Sequence, residues 1–110
     1  MTYRYTIRIS INRRPKRYRA QNRKSPQPRA LLFVTPEHNR SLPTALKNVL
    51  DWVSRPYGKN LWAGKPAGIA GASIGAIGTA VAQAHLRSVL GYLDVPTLGQ
   101  PEVYIHFSQG

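Results

Sequence analysis

The stretch ALLFVTPEHNRSLPTALKNVLDW, residues 30–52, decides the fold class of this chain together with the loop GASIGAIG, residues 71–78. The run LLFV, residues 31–34, predicts a parallel strand covered on both faces, and Pro36 ends it because proline cannot donate to the hydrogen-bond ladder. The order strand, turn, helix, strand, glycine-rich turn, helix predicts an α/β fold. In such a fold the two loops lie at one end of a parallel sheet, where open α/β proteins bind ligands.

Further strands extend the predicted sheet on both sides. Residues 66–72 form a strand of small residues that leads into the glycine-rich loop, and residues 102–107 form a third parallel strand. Residues 1–12 alternate polar and apolar side chains, and the apolar set consists of Tyr3, Tyr5, Ile7, Ile9 and Ile11. This period of two predicts an N-terminal strand with one buried face, which can pair at the open edge of the sheet.

Two amphipathic helices are predicted between the strands. The first begins near Leu42 and Pro43, because proline is tolerated in a first turn, and the second runs from about residue 76 to residue 94, stopped by Pro96. Each helix has an apolar stripe for the core, which consists of Leu42, Leu46, Val49, Leu50 and Val53 on the first helix and Ala82, Leu86, Val89, Leu90 and Leu93 on the second.

The second helix is apolar on another side as well. The residues that fall away from its core stripe are Ile77, Val81, His85 and Tyr92. A helix that is apolar on two sides usually meets a second partner. We therefore expect residues 76–94 to form the interface of a homo-oligomer, with Trp52 as a contributor.

Charge divides the chain into two parts. The 110 residues carry 16 lysines and arginines against four acidic residues, a formal net charge of +12. Ten of the basic residues lie in residues 1–29, where no acidic residue occurs. We therefore predict a basic N-terminal strand and linker over residues 1–29 and one α/β domain over residues 30–110. Residues 13–29 have almost no apolar side chains, which favours a mobile linker.

The basic segment leaves two other functions open. Residues 13–29, with Tyr3, Tyr5 and Tyr18 nearby, have the arginines and aromatic rings that bind nucleic acid through phosphates and stacking. Such binding weakens steeply with ionic strength, which would distinguish it from the binding of a planar ring. A further alternative is a non-catalytic remnant that assembles with a complete relative through the second helix.

Composition disfavours several other classes of function. The chain has no cysteine, and His38, His85 and His106 lack the spacing of metal ligands, so no metal site is expected. No nucleophile–base pair or pair of carboxylates can be assembled, so no catalytic side chain is predicted. Residues 66–84 are uncharged but only mildly apolar, which argues against a membrane span. Because the N-terminus also lacks a secretory pattern, we expect a cytoplasmic protein.

The glycine-rich loop has a weaker signature than its composition suggests. Gly71, Gly75 and Gly78 follow the order G-x-x-x-G-x-x-G, which differs from the dinucleotide-binding fingerprint. Glycines nevertheless let the backbone approach a planar ligand, and N–H groups around Ser73 at a helix N-terminus favour negative charge. The loop therefore indicates a ligand at this edge of the sheet.

Four consecutive motifs resemble the NAD(P)H-dependent FMN reductase family, which includes chromate and quinone reductases. They are VTPEHNRSLPTALKNVLDWVSRPYG (34–58), GKPAGIAGAS (64–73), GAIGTAVAQAHLRSVLGYLDV (75–95) and QPEVYI (100–105), which together make up 62 of the 110 residues. The resemblance implies a partial flavodoxin-like fold, with three strands and two helices of a sheet ordered 2-1-3-4-5 and FMN at its switch point. It also implies NAD(P)H as the hydride donor and a quinone, metal oxyanion or free flavin as the acceptor.

The resemblance implies two groups of site residues at the ring of FMN. The group that borders the isoalloxazine consists of Pro36, Glu37, His38 and Asn39. The group that supplies backbone contacts to the pyrimidine edge consists of Gly71, Ala72 and Ser73. The family mechanism needs no protein nucleophile, because the cofactor performs the chemistry while the protein positions it and stabilises charge.

The chain departs from the family pattern in three places. His38 stands where the family usually has tyrosine, residues 1–29 do not resemble the family's first strand and its Ser/Arg/Asn-rich phosphate loop, and no helix follows the last strand. Moreover, the two predicted helices are consecutive right-handed crossovers and therefore lie on the same face of the sheet. We expect one bare sheet face, marginal stability, flavin binding weaker than in complete relatives, and a tendency to associate.

Overall fold

Strands and helices alternate along most of the computed structural model, which describes residues 8–12 and 30–108. The elements are β1 (Arg8–Asn12), β2 (Ala30–Thr35), α1 (Thr44–Val53), β3 (Ala67–Ser73), α2 (Ala80–Tyr92) and β4 (Tyr104–His106). From β2 onward each pair of successive strands is joined through a helix, which is the connection that parallel strands require. The α/β fold class predicted from residues 30–78 is confirmed.

The sheet has the strand order β1-β2-β3-β4. Strands β2, β3 and β4 are parallel, as predicted, and the register sets Thr35 opposite Gly71. Strand β1 is antiparallel to β2, with Ile9 opposite Phe33, so the predicted pairing of an N-terminal strand at the open edge is confirmed for residues 8–12. This neighbour of β2 differs from the parallel first strand that the family's sheet order implies. Residues 1–7 and the predicted linker at 13–29 lie outside the described residues.

Helix α1 begins two residues after the first residue of the predicted stripe, Leu42. It begins at Thr44 because Pro43 occupies the N-cap position with an extended backbone, where its missing N–H costs nothing. Leu46 and Leu50 are buried, and Leu42 and Val53 pack partly buried against the same core. Val49 was predicted to lie in the core stripe, but it is 38% exposed. It lies about 60° around the helix from Leu46, at the edge of the buried stripe.

Helix α2 begins four residues later than predicted, because the glycine-rich segment forms turns first. Gly78 has a φ of 61°, a left-handed conformation that favours glycine and interrupts a right-handed helix. At the other end, Asp94 has a φ of 60°, and the N–H of Val95 donates to the carbonyl of Leu90 at 3.0 Å. This is the bonding of a Schellman cap, which ends the helix before the predicted stop at Pro96.

The core lies on one face of the sheet, beneath both helices. Leu31, Phe33 and Ile69 are 4%, 0% and 5% exposed and pack in one cluster with the helix residues. On the other face, Leu32 is 42% and Ile105 is 51% exposed, and no helix in the described ranges covers them. Burial of residues 31–34 on both faces was therefore a wrong expectation. Within residues 8–12 and 30–108, the bare face expected from two right-handed crossovers is confirmed.

The core stripe predicted for α2 is correct, with Ala82, Leu86, Leu90 and Leu93 buried and Val89 partly buried. The loop between α1 and β3 adds Trp62 to this core. Its Nε1 donates to the carbonyl of Leu50 at 3.1 Å, and its ring centroid lies 5.9 Å from that of Phe33. Neither helix in the described part of the chain is long and apolar enough to cross a membrane.

Candidate functional site

The two segments singled out in the sequence meet at one edge of the sheet. Thr35, the last residue of β2, is the register partner of Gly71 in β3. The residues that follow Thr35 therefore leave the sheet beside the last three residues of β3. Pro36, Glu37, His38 and Asn39 lie in one loop, and Gly71, Ala72 and Ser73 lie next to it at the carboxyl end of the neighbouring strand.

The loop after β2 has a regular, hydrogen-bonded tip. His38 and Ser41 exchange both backbone hydrogen bonds, N–H to carbonyl, at 3.0 Å each. Between them Asn39 and Arg40 have φ angles of 50° and 64°. Two consecutive left-handed residues are the geometry of a type I′ turn. His38 and Asn39 are exposed, so the turn presents their backbone and side chains at the sheet edge.

Glu37 points away from this exposed tip. Its side chain is 7% exposed, and its Oε1 accepts the backbone N–H of Ala82 at 2.7 Å. Ala82 is the third residue of α2, so the carboxylate lies at the positive end of the helix dipole. The guanidinium of Arg40 approaches the other carboxylate oxygen to 3.9 Å from the solvent side. Sequence reasoning placed Glu37 in the site but did not detect this contact.

Gly71 is small because of helix packing. A Cβ atom at this position would lie 2.1 Å from the hydroxyl oxygen of Thr79 and 2.5 Å from the carbonyl oxygen of Thr35. Thr79, the residue before α2, is fully buried at this contact. The space beside Gly71 is therefore filled by the protein itself. From the sequence, this glycine was expected to let the backbone approach a ligand.

Ser73 ends β3 with a free hydrogen-bond donor. Its Oγ accepts the N–H of Gly75 at 3.1 Å, and its hydroxyl proton has no acceptor within residues 30–108. His106 holds the same turn, with Nδ1 2.9 Å from the carbonyl oxygen of Gly75. Helix α2 starts only at Ala80, so the expectation of helix N-terminal N–H groups around Ser73 was wrong. The hydroxyl of Ser73 is the donor that the structure offers there.

Gln83 is a buried polar residue that sequence reasoning missed. Its Nε2 donates to the Oγ1 of Thr79 and to the carbonyl of Val103, both at 2.8 Å, which joins α2 to the segment before β4. Its Oε1 is buried and has no partner among the described residues. A signal was present in the sequence, because position 83 lies one turn before Leu86 and two before Leu90 on the core side of the helix.

The outer sides of α1 and α2 form a polar groove of about 440 Å³. At one end the Oγ of Ser41 lies 2.8 Å from Nδ1 of His85, and Lys47 pairs with Asp51 further along. On the same two helices, Trp52 and Tyr92 are 74% and 79% exposed. In the described ranges no three His, Asp or Glu side chains come together in a way that could hold a metal ion.

Comparison with known proteins identifies the family to which these features belong. The model of the NADPH-dependent FMN reductase family matches residues 11–110. The chain belongs to this family. A 2-hydroxy-1,4-benzoquinone reductase from Burkholderia sp is 63% identical over 75 residues, which are 68% of this chain and 41% of that protein. A quinone reductase from Pseudomonas putida is 50% identical over 90 residues, 82% of this chain and 47% of that one.

A solved structure of the same kind confirms the flavodoxin-like fold. The flavoenzyme NAD(P)H:(acceptor) oxidoreductase FerB from Paracoccus denitrificans has a TM-score of 0.70 and 48% identity, over 73% of this chain and 44% of that one. The chain thus spans less than half the length of these FMN reductase relatives. The family match begins inside the basic segment, at residue 11, and the domain boundary after residue 29 stays a prediction.

The residues at this edge fit the ring end of the cofactor that gives the FMN reductase family its name. A flavin ring is flat and has carbonyl and N–H groups along its pyrimidine edge. The half-buried backbone of Ala72 and Ser73 lies on one side, where Ser73 adds a hydroxyl donor, and the exposed turn at His38 and Asn39 lies on the other. Residues 30–108 contain no counterpart of the family's phosphate loop.

Proposed function

We propose that this chain forms the ring-binding half of an NAD(P)H-dependent FMN reductase site that acts on quinones. The observation that carries the proposal is the register of Thr35 with Gly71, which brings residues 36–39 beside residues 71–73 at the carboxyl ends of parallel strands. Open α/β sheets bind their ligands in this position. FMN would supply the acceptance of a hydride from NAD(P)H and the delivery of electrons to the acceptor.

The chain's own residues would bind and orient the ring. The turn at His38 and Asn39 would border it on one side, with His38 where the family usually has tyrosine. On the other side, the backbone of Gly71, Ala72 and Ser73 would line the pyrimidine edge, and the hydroxyl proton of Ser73 would be donated to a ring carbonyl. A hydroxyl donor at that edge stabilises the negative charge that develops there on reduction.

A quinone is the proposed electron acceptor. The Burkholderia relative is a 2-hydroxy-1,4-benzoquinone reductase and the Pseudomonas putida relative is a quinone reductase, at 63% and 50% identity. Reduction of a metal oxyanion such as chromate, or of a free flavin, is a broader activity that the resemblance implies for the family. We also propose a cytoplasmic location.

We also propose that the chain forms a homo-oligomer through the segment 76–94. The support is the exposure of large apolar side chains, with Tyr92 at 79% on α2, Trp52 at 74% on α1 and Ile77 at 38% in the turn before α2. Exposed apolar side chains that form one patch mark protein–protein interfaces. Sedimentation velocity of the purified chain tests this proposal, and a single monomeric species at micromolar concentration would contradict it.

A titration of the full chain with FMN tests the function directly, with quenching of flavin fluorescence as the signal. Riboflavin serves as a second ligand, and we expect similar dissociation constants for both, because the described contacts reach only the ring. Turnover is then measured as NADPH oxidation with a benzoquinone acceptor. Failure of both flavins to bind saturably would refute the proposal.

A matched pair of variants locates the binding edge. Ser73→Ala removes the proposed donor, and we expect it to raise the dissociation constant for FMN about three- to tenfold, the usual effect of one lost hydrogen bond. Ser88→Ala is the control, since Ser88 is exposed on α2 away from this edge. Equal affinities for the two variants would place the ring elsewhere.

Nucleic-acid binding through residues 13–29, the alternative raised by the charge, concerns residues outside those described. It stays a prediction that a salt titration with a single-stranded oligonucleotide can test.

A further inference from the structure

Helix α2 has no capping side chain of its own. The first backbone N–H groups of a helix need acceptors from outside it, and an N-cap Ser or Thr usually supplies one. Thr79 holds the N-cap position of α2 but makes no side-chain cap bond, and its hydroxyl instead accepts a hydrogen bond from Gln83. The backbone N–H of Ala82, to which an N-cap side chain normally binds, donates instead to Oε1 of Glu37 at 2.7 Å.

This bond joins two loops that are distant in sequence. Glu37 belongs to the turn after β2, and Ala82 lies 45 residues later, in the first turn of the helix after β3. That first turn is itself in tight contact with β3, because Thr79 fills the space beside Gly71. The two halves of the proposed ring site are therefore connected through the carboxylate of Glu37 and the start of α2, in addition to the contact of Ser41 with His85 further along the helix.

We infer that Glu37 is a positioning residue that caps α2 from the neighbouring loop and thereby sets the turn at His38 and Asn39 against β3. This inference rests on the proposed flavin site for its functional consequence. The side chain of Glu37 is only 7% exposed, and its carboxylate faces the start of α2. It therefore acts on a bound ring through the loop and makes no contact with that ring.

The cap has a second consequence for the site. A free helix N-terminus attracts anions, including the phosphate of a nucleotide. In α2 the positive end of the dipole is already matched by Glu37. The phosphate of a bound FMN therefore has no place at the first turn of α2.

Two substitutions separate the reach of Glu37 from its charge. Glu37→Asp keeps the charge but is one methylene too short to reach the N–H of Ala82, whereas Glu37→Gln keeps the reach and an acceptor oxygen but loses the charge. Val89→Ala is the control, because it trims the partly buried packing of α2 and leaves the bond between Glu37 and Ala82 in place.

Amide hydrogen exchange of the flavin-free protein is the first measurement. In Glu37→Asp we expect the amides of Ala82, His38 and Ser41 all to exchange about tenfold faster, the size of a lost cap. In Glu37→Gln each should stay within about threefold of the unmodified chain. The control should quicken exchange in α2 but leave His38 and Ser41 unchanged. Unchanged exchange at His38 and Ser41 in Glu37→Asp would overturn the inference.

FMN titration of the same variants is the second measurement. We expect Glu37→Asp to weaken binding about tenfold, and Glu37→Gln and Val89→Ala to stay within about threefold. Loss in the Gln variant equal to that in the Asp variant would show that charge matters rather than position, and would overturn the inference. If the unmodified chain binds no flavin, the proposed function fails, and the exchange pattern alone decides the role of Glu37.

Discussion

The two faces of strand β2 have the same kind of side chain and opposite surroundings. Leu31 and Phe33 are 4% and 0% exposed beneath the two helices, whereas Leu32, between them in the chain, is 42% exposed. Ile105 in β4 repeats the contrast at 51%. An apolar run therefore predicts that a strand is able to be buried, but the crossover connections between the strands determine which face the helices cover.

The largest expected effect tests this contrast within β2. Phe33→Ala should lower the free energy of unfolding by about 3–5 kcal/mol, because it empties a site that is fully enclosed by Leu50, Trp62 and their neighbours. Leu32→Ala should cost about 1 kcal/mol or less, since its side chain keeps much of its contact with water. Urea unfolding followed by circular dichroism measures both values.

Equal losses of unfolding free energy in Phe33→Ala and Leu32→Ala would contradict the difference between the two faces. They would mean that the face of Leu32 is covered in solution, by another copy of the chain or by residues outside those described. A large loss of unfolding free energy in Phe33→Ala alone would support the difference between the two faces.

An intermediate effect is expected from two glycines of β3 that face opposite sides. Gly71→Ala should destabilise the fold by about 1–3 kcal/mol or more, because the new Cβ meets Thr79 and the backbone of Thr35. At Gly68 a Cβ meets only Cδ1 of Leu32, at 3.5 Å, an ordinary contact. Gly68→Ala should therefore stabilise by about 0.4–1 kcal/mol, since alanine loses less conformational entropy on folding.

Thermal unfolding of the two glycine variants gives the comparison directly. A melting temperature raised by Gly71→Ala would show that the contact with Thr79 is looser than the distances indicate.

The smallest effect is expected on the exposed surface of α1, away from both faces of the sheet. Lys47 and Asp51 form an ion pair at 3.0 Å with side chains 49% and 57% exposed. The lysine precedes the acid, which is the poorer orientation for a helical pair. Asp51→Asn should cost about 0.5 kcal/mol or less, and the loss should vanish at high salt. A larger, salt-independent loss in urea unfolding would indicate a further partner for Asp51.

Much of the fold was predictable from the sequence because it depends on local patterns. Strand β3 was predicted at residues 66–72 and lies at Ala67–Ser73, and the core stripe of α2 is correct. The start of α2 was misplaced because Ala76 and Ile77 fit a helical pattern that Gly78, in its left-handed turn, ends. Val49 was misassigned because a stripe of residues does not reveal how wide the contact with the sheet is.

The proximity of the two candidate site segments was predictable, but the contacts of their individual residues were not. Family resemblance selected residues 36–39 and 71–73, and the register of β2 with β3 brings them together. The roles of Glu37 and Gly71 depend on Ala82 and Thr79, which periodicity cannot connect to them. Such contacts between distant segments form only when the chain is folded, so they leave no short-range signal.

The order of the described strands in the sheet, β1-β2-β3-β4, is also their order along the chain. Each strand therefore pairs with the one that precedes it in the chain, whereas in the family order 2-1-3-4-5 the third strand pairs with the first and not with the second. Each new strand can add to the free edge left by the one before it, so the loops to be closed remain short and their entropic cost small. During synthesis, this sheet can therefore grow in one direction as the chain leaves the ribosome.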